Sequence, residues 1–191
     1  MKKIPTIFER DWNGDRSRVV ESYNPVAQWV LKGEGWATRK LDGTSCMVQS
    51  GKLFRRRELK RGQPEPTGFI SEGTDSETGK TVGWVLVGNG PEDAAHREAF
   101  AGLPPFDDGT YELVGPKVQG NPECFERNTL VAHTASWLRM DGAPRTFNKP
   151  REWLTDRDIE GLVFHHPDGR MAKIKLRDFG LKRSGTGDAH W

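Results

Sequence analysis

The chain has no run of about 18 apolar residues, the minimum for a membrane-spanning helix, so we expect no membrane partner. It has only two cysteines, Cys46 and Cys124, which show neither metal-site spacing nor a disulfide framework. Such sparse cysteine is typical of a reducing compartment, so we expect a cytoplasmic protein. The charged first residues precede no apolar stretch, and we therefore expect no secretory signal.

A strong charge of one sign is also absent. Lys and Arg total 29 and Asp and Glu 27, and the resulting net charge of +2 disfavours a protein that coats nucleic acid by bulk charge. The length of 191 residues suits one domain, and seven Trp and nine Phe can fill one core. We predict a single domain over residues 1–191, with a loose tail at 185–191.

Gly and Pro divide the chain into short elements. The turn dipeptide Asp42-Gly43 separates two predicted strands, which favours a hairpin there, and the polar stretch 61–80 is predicted as a loop. Predicted helices cover 22–30, 92–101 and 151–154. Predicted strands cover 36–41, 45–48, 52–59, 81–87, 110–114, 130–134, 159–165 and 171–176. Many antiparallel strands with few helices indicate an α+β fold rather than alternating βαβ units.

The tetrapeptide Lys40-Leu41-Asp42-Gly43 is the first candidate for chemistry. Lys40 ends a predicted strand, Asp42 lies on the same face of an extended chain, and Gly43 permits a close backbone approach. Burial or neighbouring cations can make such a lysine nucleophilic. Taken alone, the tetrapeptide is more often a solvated lysine beside an ordinary turn.

Two strands carry further candidates. In Lys173-Ile174-Lys175 the two ammonium groups share one strand face, which suits a phosphate that gains negative charge, although an exposed basic strand is the simpler explanation. Glu160, at the start of a predicted strand, is a candidate for holding Mg²⁺ or is a solvated acid. Glu112 is a candidate for accepting ribose hydroxyls or is one member of a cross-strand ion pair.

One segment concentrates positive charge. Five cations occupy seven residues, with Glu58 as the only acid among them, so contact with nucleic-acid phosphates is favoured over a solvated strand. These cations are Arg55, Arg56, Arg57, Lys60 and Arg61.

Several aromatic side chains have two interpretations. Trp29, Trp36 and Trp84 are candidates for stacking on adenine or an RNA base, although core positions are the commoner explanation. His96 lies on a predicted helix, where we expect it to be exposed.

Taken in order, Lys-x-Asp-Gly, a basic strand, Glu-Leu-x-Gly, Glu-Gly-Leu-Val and Lys-x-Lys resemble the motif set of the covalent nucleotidyltransferase superfamily. Its members are ATP-dependent polynucleotide ligases and mRNA capping enzymes. The resemblance covers residues 36–176, and the string WATRKLDGTSC at 36–46 looks most like small cellular 5′–3′ RNA ligases. It implies an ATP-grasp-like nucleotidyltransferase core of antiparallel sheets flanked by helices, with ATP between the sheets.

The resemblance also implies residue roles. Lys40 would attack the α-phosphate of ATP, release pyrophosphate and carry AMP, while Asp42 would orient Lys40 or the ribose. Arg55 and Arg57, or Arg56 in place of one of them, would contact ribose, phosphate or the RNA end. The remaining matches are the ribose-contacting Glu112, the metal-linked Glu160, and the phosphate-contacting Lys173 and Lys175. The implied cofactors are ATP and Mg²⁺, for which Mn²⁺ can substitute.

Two departures from the larger relatives favour an RNA ligase. DNA ligases usually carry Arg where this chain has Ser45, and Leu176 leaves only fifteen residues, too few for an OB-fold domain. We therefore expect sealing of RNA 5′-phosphate and 3′-hydroxyl ends in RNA repair. The alternatives are a GTP-dependent capping-type guanylyltransferase and a non-catalytic nucleic-acid-binding relative.

Overall fold

The computed structural model describes residues 3–76, 78–102 and 105–183, and the predicted tail at 185–191 lies outside them. Within these residues three α-helices, α1 to α3, cover Gln28–Leu31, Ala94–Gly102 and Asn148–Thr155. Eleven strands in the same residues, β1 to β11, cover Phe8–Arg10, Val19–Tyr23, Trp36–Lys40, Thr44–Gln49, Lys52–Leu59, Ile70–Thr74, Thr81–Leu86, Gly109–Val114, Thr129–Ala132, Gly161–His165 and Met171–Lys175. No helix in the described ranges has the length and hydropathy needed to cross a bilayer.

Internal contacts divide the chain into two compact units. We call residues 42–134 the large-sheet unit, and residues 4–41 with 135–183 the small-sheet unit. Whether the whole chain acts as one catalytic domain stays a prediction.

The large-sheet unit contains a six-stranded antiparallel sheet in the order β6-β7-β5-β4-β8-β9. Alternate residues of its central strands are buried, as in Cys46 and Val48 of β4, because successive side chains in a strand point to opposite faces. Helix α2 contributes Ala99 to the same core. A 3₁₀ turn that begins at Pro91 leads into this helix, as the fixed φ of proline favours.

The small-sheet unit contains a three-stranded antiparallel sheet in the order β11-β10-β3, together with the β1-β2 pair. One face of the three-stranded sheet is core, where Phe164, Ala172 and Ile174 are fully buried. The opposite face presents Trp36, Thr38 and Lys40 of β3 at alternating positions. Strand β3 therefore separates an apolar core from a polar face.

The broad prediction of mostly antiparallel strands with few helices is confirmed, and strand β5 has its predicted bounds. The predicted helix from residue 22 is wrong at its start, because Ser22 belongs to β2 and Asn24 instead caps a 3₁₀ turn through Val26 N. The predicted hairpin at Asp42-Gly43 is also wrong. Strand β3 pairs with β10, while β4 pairs with β5 and β8. The predicted loop 61–80 contains β6.

Candidate functional site

Three charged side chains of the small-sheet unit converge at one end of its sheet. Lys40 ends β3 and Lys175 ends β11, and both pair with Gly161, the first residue of β10. Glu160 directly precedes that glycine. Its Oε2 lies 2.5 Å from Lys40 Nζ, and its Oε1 lies 2.7 Å from Lys175 Nζ. We call Lys40, Glu160 and Lys175 the lysine–glutamate cluster.

Gly161 has a steric reason to be glycine. A Cβ at this position would lie 2.2 Å from the Ile174 carbonyl oxygen, far inside van der Waals contact. The absence of a side chain lets β10 pass between its two neighbours where the cluster forms. The Glu-Gly pair in the sequence thus combines the acid with the close strand approach that positions it.

The cluster carries more positive than negative charge in a largely buried place. The side chains of Glu160 and Lys175 are only 12% and 10% exposed, and that of Lys40 is 21% exposed. Burial raises the pKa of Glu160, but Lys40 and Lys175 together overcome this and hold it below its ordinary value. Burial and the Lys40 charge lower the pKa of Lys175, against the opposing effect of Glu160. Because one carboxylate lies between two ammonium groups, the cluster has a surplus positive charge that favours the binding of a further anion.

The same residues do not fit a resident Mg²⁺ ion. Both oxygens of Glu160 already hold ammonium groups, which would repel a divalent cation. Among the described residues, no three His, Cys, Asp or Glu side chains are grouped to hold a metal. The metal role of Glu160 stays a prediction, restricted to Mg²⁺ that arrives bound to nucleotide phosphates.

Glu112 of the large-sheet unit has a partner at the end of the neighbouring strand, as the cross-strand alternative predicted, but the sequence did not indicate that the partner is His133. His133 Nε2 lies 3.0 Å from Glu112 Oε2, and His133 Nδ1 lies 3.0 Å from Thr110 Oγ1. In one tautomer of His133, Nδ1 accepts a hydrogen bond from the Thr110 hydroxyl while the Nε2–H donates to the carboxylate, which fixes the orientation of Glu112. The register of β8 and β9 explains the contact. It places Glu112 opposite Val131, and His133 lies two residues further along the chain, on the same face as Val131.

The Asp42-Gly43 segment of the motif packs tightly in this unit. A Cβ on Gly43 would lie 2.2 Å from the Leu113 carbonyl oxygen and 2.9 Å from Glu112 Cγ. The Asp42 backbone N–H donates to Glu123 Oε1 at 3.0 Å, and Glu123 is itself buried. The glycine is thus required by close packing against β8.

Arg55 forms an ion pair with a buried aspartate that the sequence did not predict. Its Nε lies 2.7 Å from Asp93 Oδ1, although the N–H is not aligned for a hydrogen bond, and Asp93 Oδ2 accepts the Gly88 N–H at 2.8 Å. The predicted exposure of His96 is wrong: it is buried beside this pair, and no described residue hydrogen-bonds its ring. We call Arg55, Asp93 and His96 the arginine–aspartate cluster.

The other cations of the basic segment lie differently from Arg55. Within the described parts of the chain they have no carboxylate partner at ion-pair distance, and Arg57 is exposed. Glu58, the acid among them, is bound by Lys80 Nζ at 2.7 Å. These cations are Arg56, Arg57, Lys60 and Arg61. Their charge is available to an external anion.

The predicted site residues therefore fall into two groups. The structure brings Lys40, Glu160 and Lys175 together and places Lys173 on the same sheet face. The predicted residues in the large-sheet unit are Asp42, Arg55, Arg56, Arg57, Lys60, Arg61 and Glu112.

Compared with known proteins, the chain matches no protein-family model and no curated protein.

Proposed function

We propose that the protein is an ATP-dependent RNA ligase that works through a covalent Lys40–AMP intermediate. The observation that carries the proposal is the lysine–glutamate cluster, in which the motif lysine, the motif acid and a lysine of Lys-x-Lys are in direct contact. A lysine beside an ordinary turn would be solvated and would not contact residues from two motifs that are distant in the sequence. The proposal includes an ATP-grasp-like nucleotidyltransferase core.

In the first step, Lys40 Nζ attacks the α-phosphorus of ATP, which arrives as its Mg²⁺ complex. Before the attack, the Lys40 ammonium gives one proton to Glu160 Oε2, 2.5 Å from Nζ, which frees the nitrogen lone pair. The N–P bond then forms, the P–O bond to pyrophosphate breaks, and the nitrogen releases its second proton to solvent. Lys175 remains as a cation for the charge that develops on the α-phosphate.

In the later steps, the AMP passes from Lys40 to an RNA 5′-phosphate, which frees the lysine. An RNA 3′-hydroxyl then attacks the activated phosphate and displaces AMP, which seals the strand. Arg57 and the neighbouring exposed cations supply charge for binding RNA phosphates. Glu112, oriented by His133, supplies a carboxylate oxygen for a ribose hydroxyl.

The test is incubation with α-labelled ATP or GTP and Mg²⁺, followed by a denaturing gel. We expect a covalent label from ATP that is lost in Lys40→Ala, because no other nucleophile takes its place. Lys149→Ala is the matched control, since this exposed lysine of the same unit pairs only loosely with Glu152 at 3.8 Å.

Each other outcome contradicts the proposal in a distinct way. A label from GTP alone would indicate a capping-type guanylyltransferase. No label from either nucleotide would indicate a non-catalytic relative, and full labelling of Lys40→Ala would remove the nucleophile assignment. With a label in hand, a longer product from 5′-phosphorylated RNA separates ligation from adenylylation alone.

A further inference from the structure

The polar face of the three-stranded sheet carries an ordered set of side chains beyond the lysine–glutamate cluster. Each row across the sheet joins one residue from β3, β10 and β11. The row at the cluster end is Lys40, Gly161 and Lys175. The middle row is Thr38, Val163 and Lys173. The far row is Trp36, His165 and Met171. One face therefore runs from cations at one end to aromatic rings at the other.

Trp36 differs from the other tryptophans considered for stacking. Trp29 and Trp84 are buried in the core, whereas Trp36 is 37% exposed. Its ring stacks on His165 with a centroid distance of 5.7 Å and an interplanar angle of 12°. His165 is held in turn by a 2.8 Å contact between its Nε2 and Thr38 Oγ1. The exposed Trp36 ring thus packs against a histidine ring whose orientation is fixed by Thr38.

The backbone before Trp36 is also fixed. Gly35 has a φ of +68°, a backbone conformation that residues with a side chain rarely adopt. A Cβ at this position would lie 2.1 Å from the His165 carbonyl oxygen. Only glycine allows this contact between β3 and β10. The Trp36 ring is exposed, its preceding backbone is fixed at Gly35, and it stacks on a histidine that is itself hydrogen-bonded, so it is pre-organised to receive a flat ligand.

We propose that Trp36 and His165 form a platform on which a base of single-stranded RNA stacks, while Lys173 and the lysine–glutamate cluster attract its phosphates. Stacking on aromatic rings combined with cations along the backbone is the general mode of single-strand binding. The lysine–glutamate cluster has two ammonium groups for one carboxylate, which matches a polyanion, and Lys173 lies on the same sheet face. The inference rests on the proposed function and deepens it by placing part of the RNA path on this sheet face.

The spacing indicates an RNA base rather than the adenine of ATP. Trp36 and Lys40 are four residues apart on one strand, or about 13 Å at the usual rise per residue. A nucleotide whose α-phosphate meets Lys40 would have to reach past the Thr38 and Val163 row to place its own base on Trp36. A neighbouring nucleotide of an RNA strand reaches the platform without that strain.

The test measures binding of a short 5′-phosphorylated single-stranded RNA and of the same RNA with abasic positions. We expect Trp36→Ala to weaken binding of the intact RNA about tenfold, since stacking contributes roughly 1–3 kcal/mol per base. Trp36→Phe should retain most of the affinity because a smaller ring still stacks. The abasic RNA should bind parent and Trp36→Ala alike.

The control is Trp12→Ala, which removes a tryptophan of the same unit that is 47% exposed and lies beside Arg16. It should bind RNA like the parent. Equal RNA affinity of Trp36→Ala and the parent would overturn the platform, and so would an equal loss with Trp12→Ala. Retention by Trp36→Phe shows that a loss in Trp36→Ala is not general unfolding.

Failure of the platform is separable from failure of the ligase proposal. Covalent labelling by ATP is measured on the parent protein without RNA, so a missing label counts against the ligase proposal alone. A labelled parent whose RNA binding ignores Trp36 counts against the platform alone.

Discussion

The lysine–glutamate and arginine–aspartate clusters both place a motif cation against a buried acid, yet they differ in how the acid is used. Both carboxylate oxygens of Glu160 pair with side-chain ammonium groups, those of Lys40 and Lys175. One oxygen of Asp93 pairs with Arg55, and the other accepts the Gly88 backbone N–H. The partners of Glu160 are therefore two flexible ammonium groups, each of which can bind another anion instead. Asp93, in contrast, is held in place by a backbone hydrogen bond.

The charge balance differs in the same direction. The lysine–glutamate cluster has two cations for one carboxylate. In the arginine–aspartate cluster Arg55 is matched by Asp93, and burial and the Arg55 charge lower the pKa of His96 against the effect of Asp93, which favours the neutral imidazole. The two clusters thus differ in their surplus of positive charge, not in the number of basic residues in the segment. A surplus suits the binding of an anionic ligand, whereas a balanced pair suits a structural role.

The largest effect is expected from Glu160→Gln. An amide cannot accept the Lys40 proton, so we expect covalent labelling by ATP to fall by about 100-fold or more, in the range of general base catalysis. It also leaves two ammonium groups together, which should lower the free energy of unfolding by about 3 kcal/mol. Labelling rate and urea denaturation measure the two effects. Glu152→Gln, at an exposed acid of the same unit, is the control.

The pH dependence gives this prediction a sign. Because the folded protein holds the pKa of Glu160 below its ordinary value of 4.5, its contribution to stability is present above that pH and is lost as the pH falls through the folded value. Glu160→Gln should lack this component, so its stability loss relative to the parent should shrink in acid. A constant difference between parent and variant from neutral to acidic pH would contradict the assigned role.

The sequence predicted the parts of both clusters that depend on local order. The alternation of Lys173, Ile174 and Lys175 follows from strand geometry, and β5 is bounded by clear turn residues. The three strands that were missed are β1, which has only three residues, and β2 and β6, which carry little alternation. Only Val19 of β2 is buried, and β6 is polar with an irregularity before Gly73, so neither shows the apolar period that marks a strand.

Pairings between distant elements were not accessible from spacing. The Arg55–Asp93 contact requires helix α2 to be docked on the sheet, and the Glu112–His133 contact requires the register of β8 and β9. The Asp42-Gly43 dipeptide has hairpin chemistry but joins strands of different sheets, because tertiary pairing with β10 and β8 overrides the local turn preference. Local patterns thus located the candidate site residues better than their partners.

A smaller effect is expected from Asp93→Asn, which tests whether the arginine–aspartate cluster is structural. The variant leaves Arg55 without its counter-charge, and we expect the free energy of unfolding to fall by about 2 kcal/mol, less than for a fully buried pair because Arg55 is partly exposed. Urea denaturation measures this loss. If the two clusters differ as described, labelling by ATP should fall far less than in Glu160→Gln. A comparable loss of labelling with unchanged stability would reverse the comparison.

The smallest effect is expected from Arg57→Ala, on the same strand face as Arg55 but without a described carboxylate partner. Its charge is available to an RNA phosphate, so we expect affinity for single-stranded RNA to fall about threefold and the salt dependence of binding to lose roughly one phosphate contact. Stability should stay within about 0.5 kcal/mol, as for most surface substitutions. Lys117→Ala, at an exposed lysine that pairs with Glu98 in the same unit, is the charge-matched control. An equal change of the salt dependence in both variants would mean that RNA senses only net charge, and the distinction between a paired and an available arginine on β5 would then have no functional meaning.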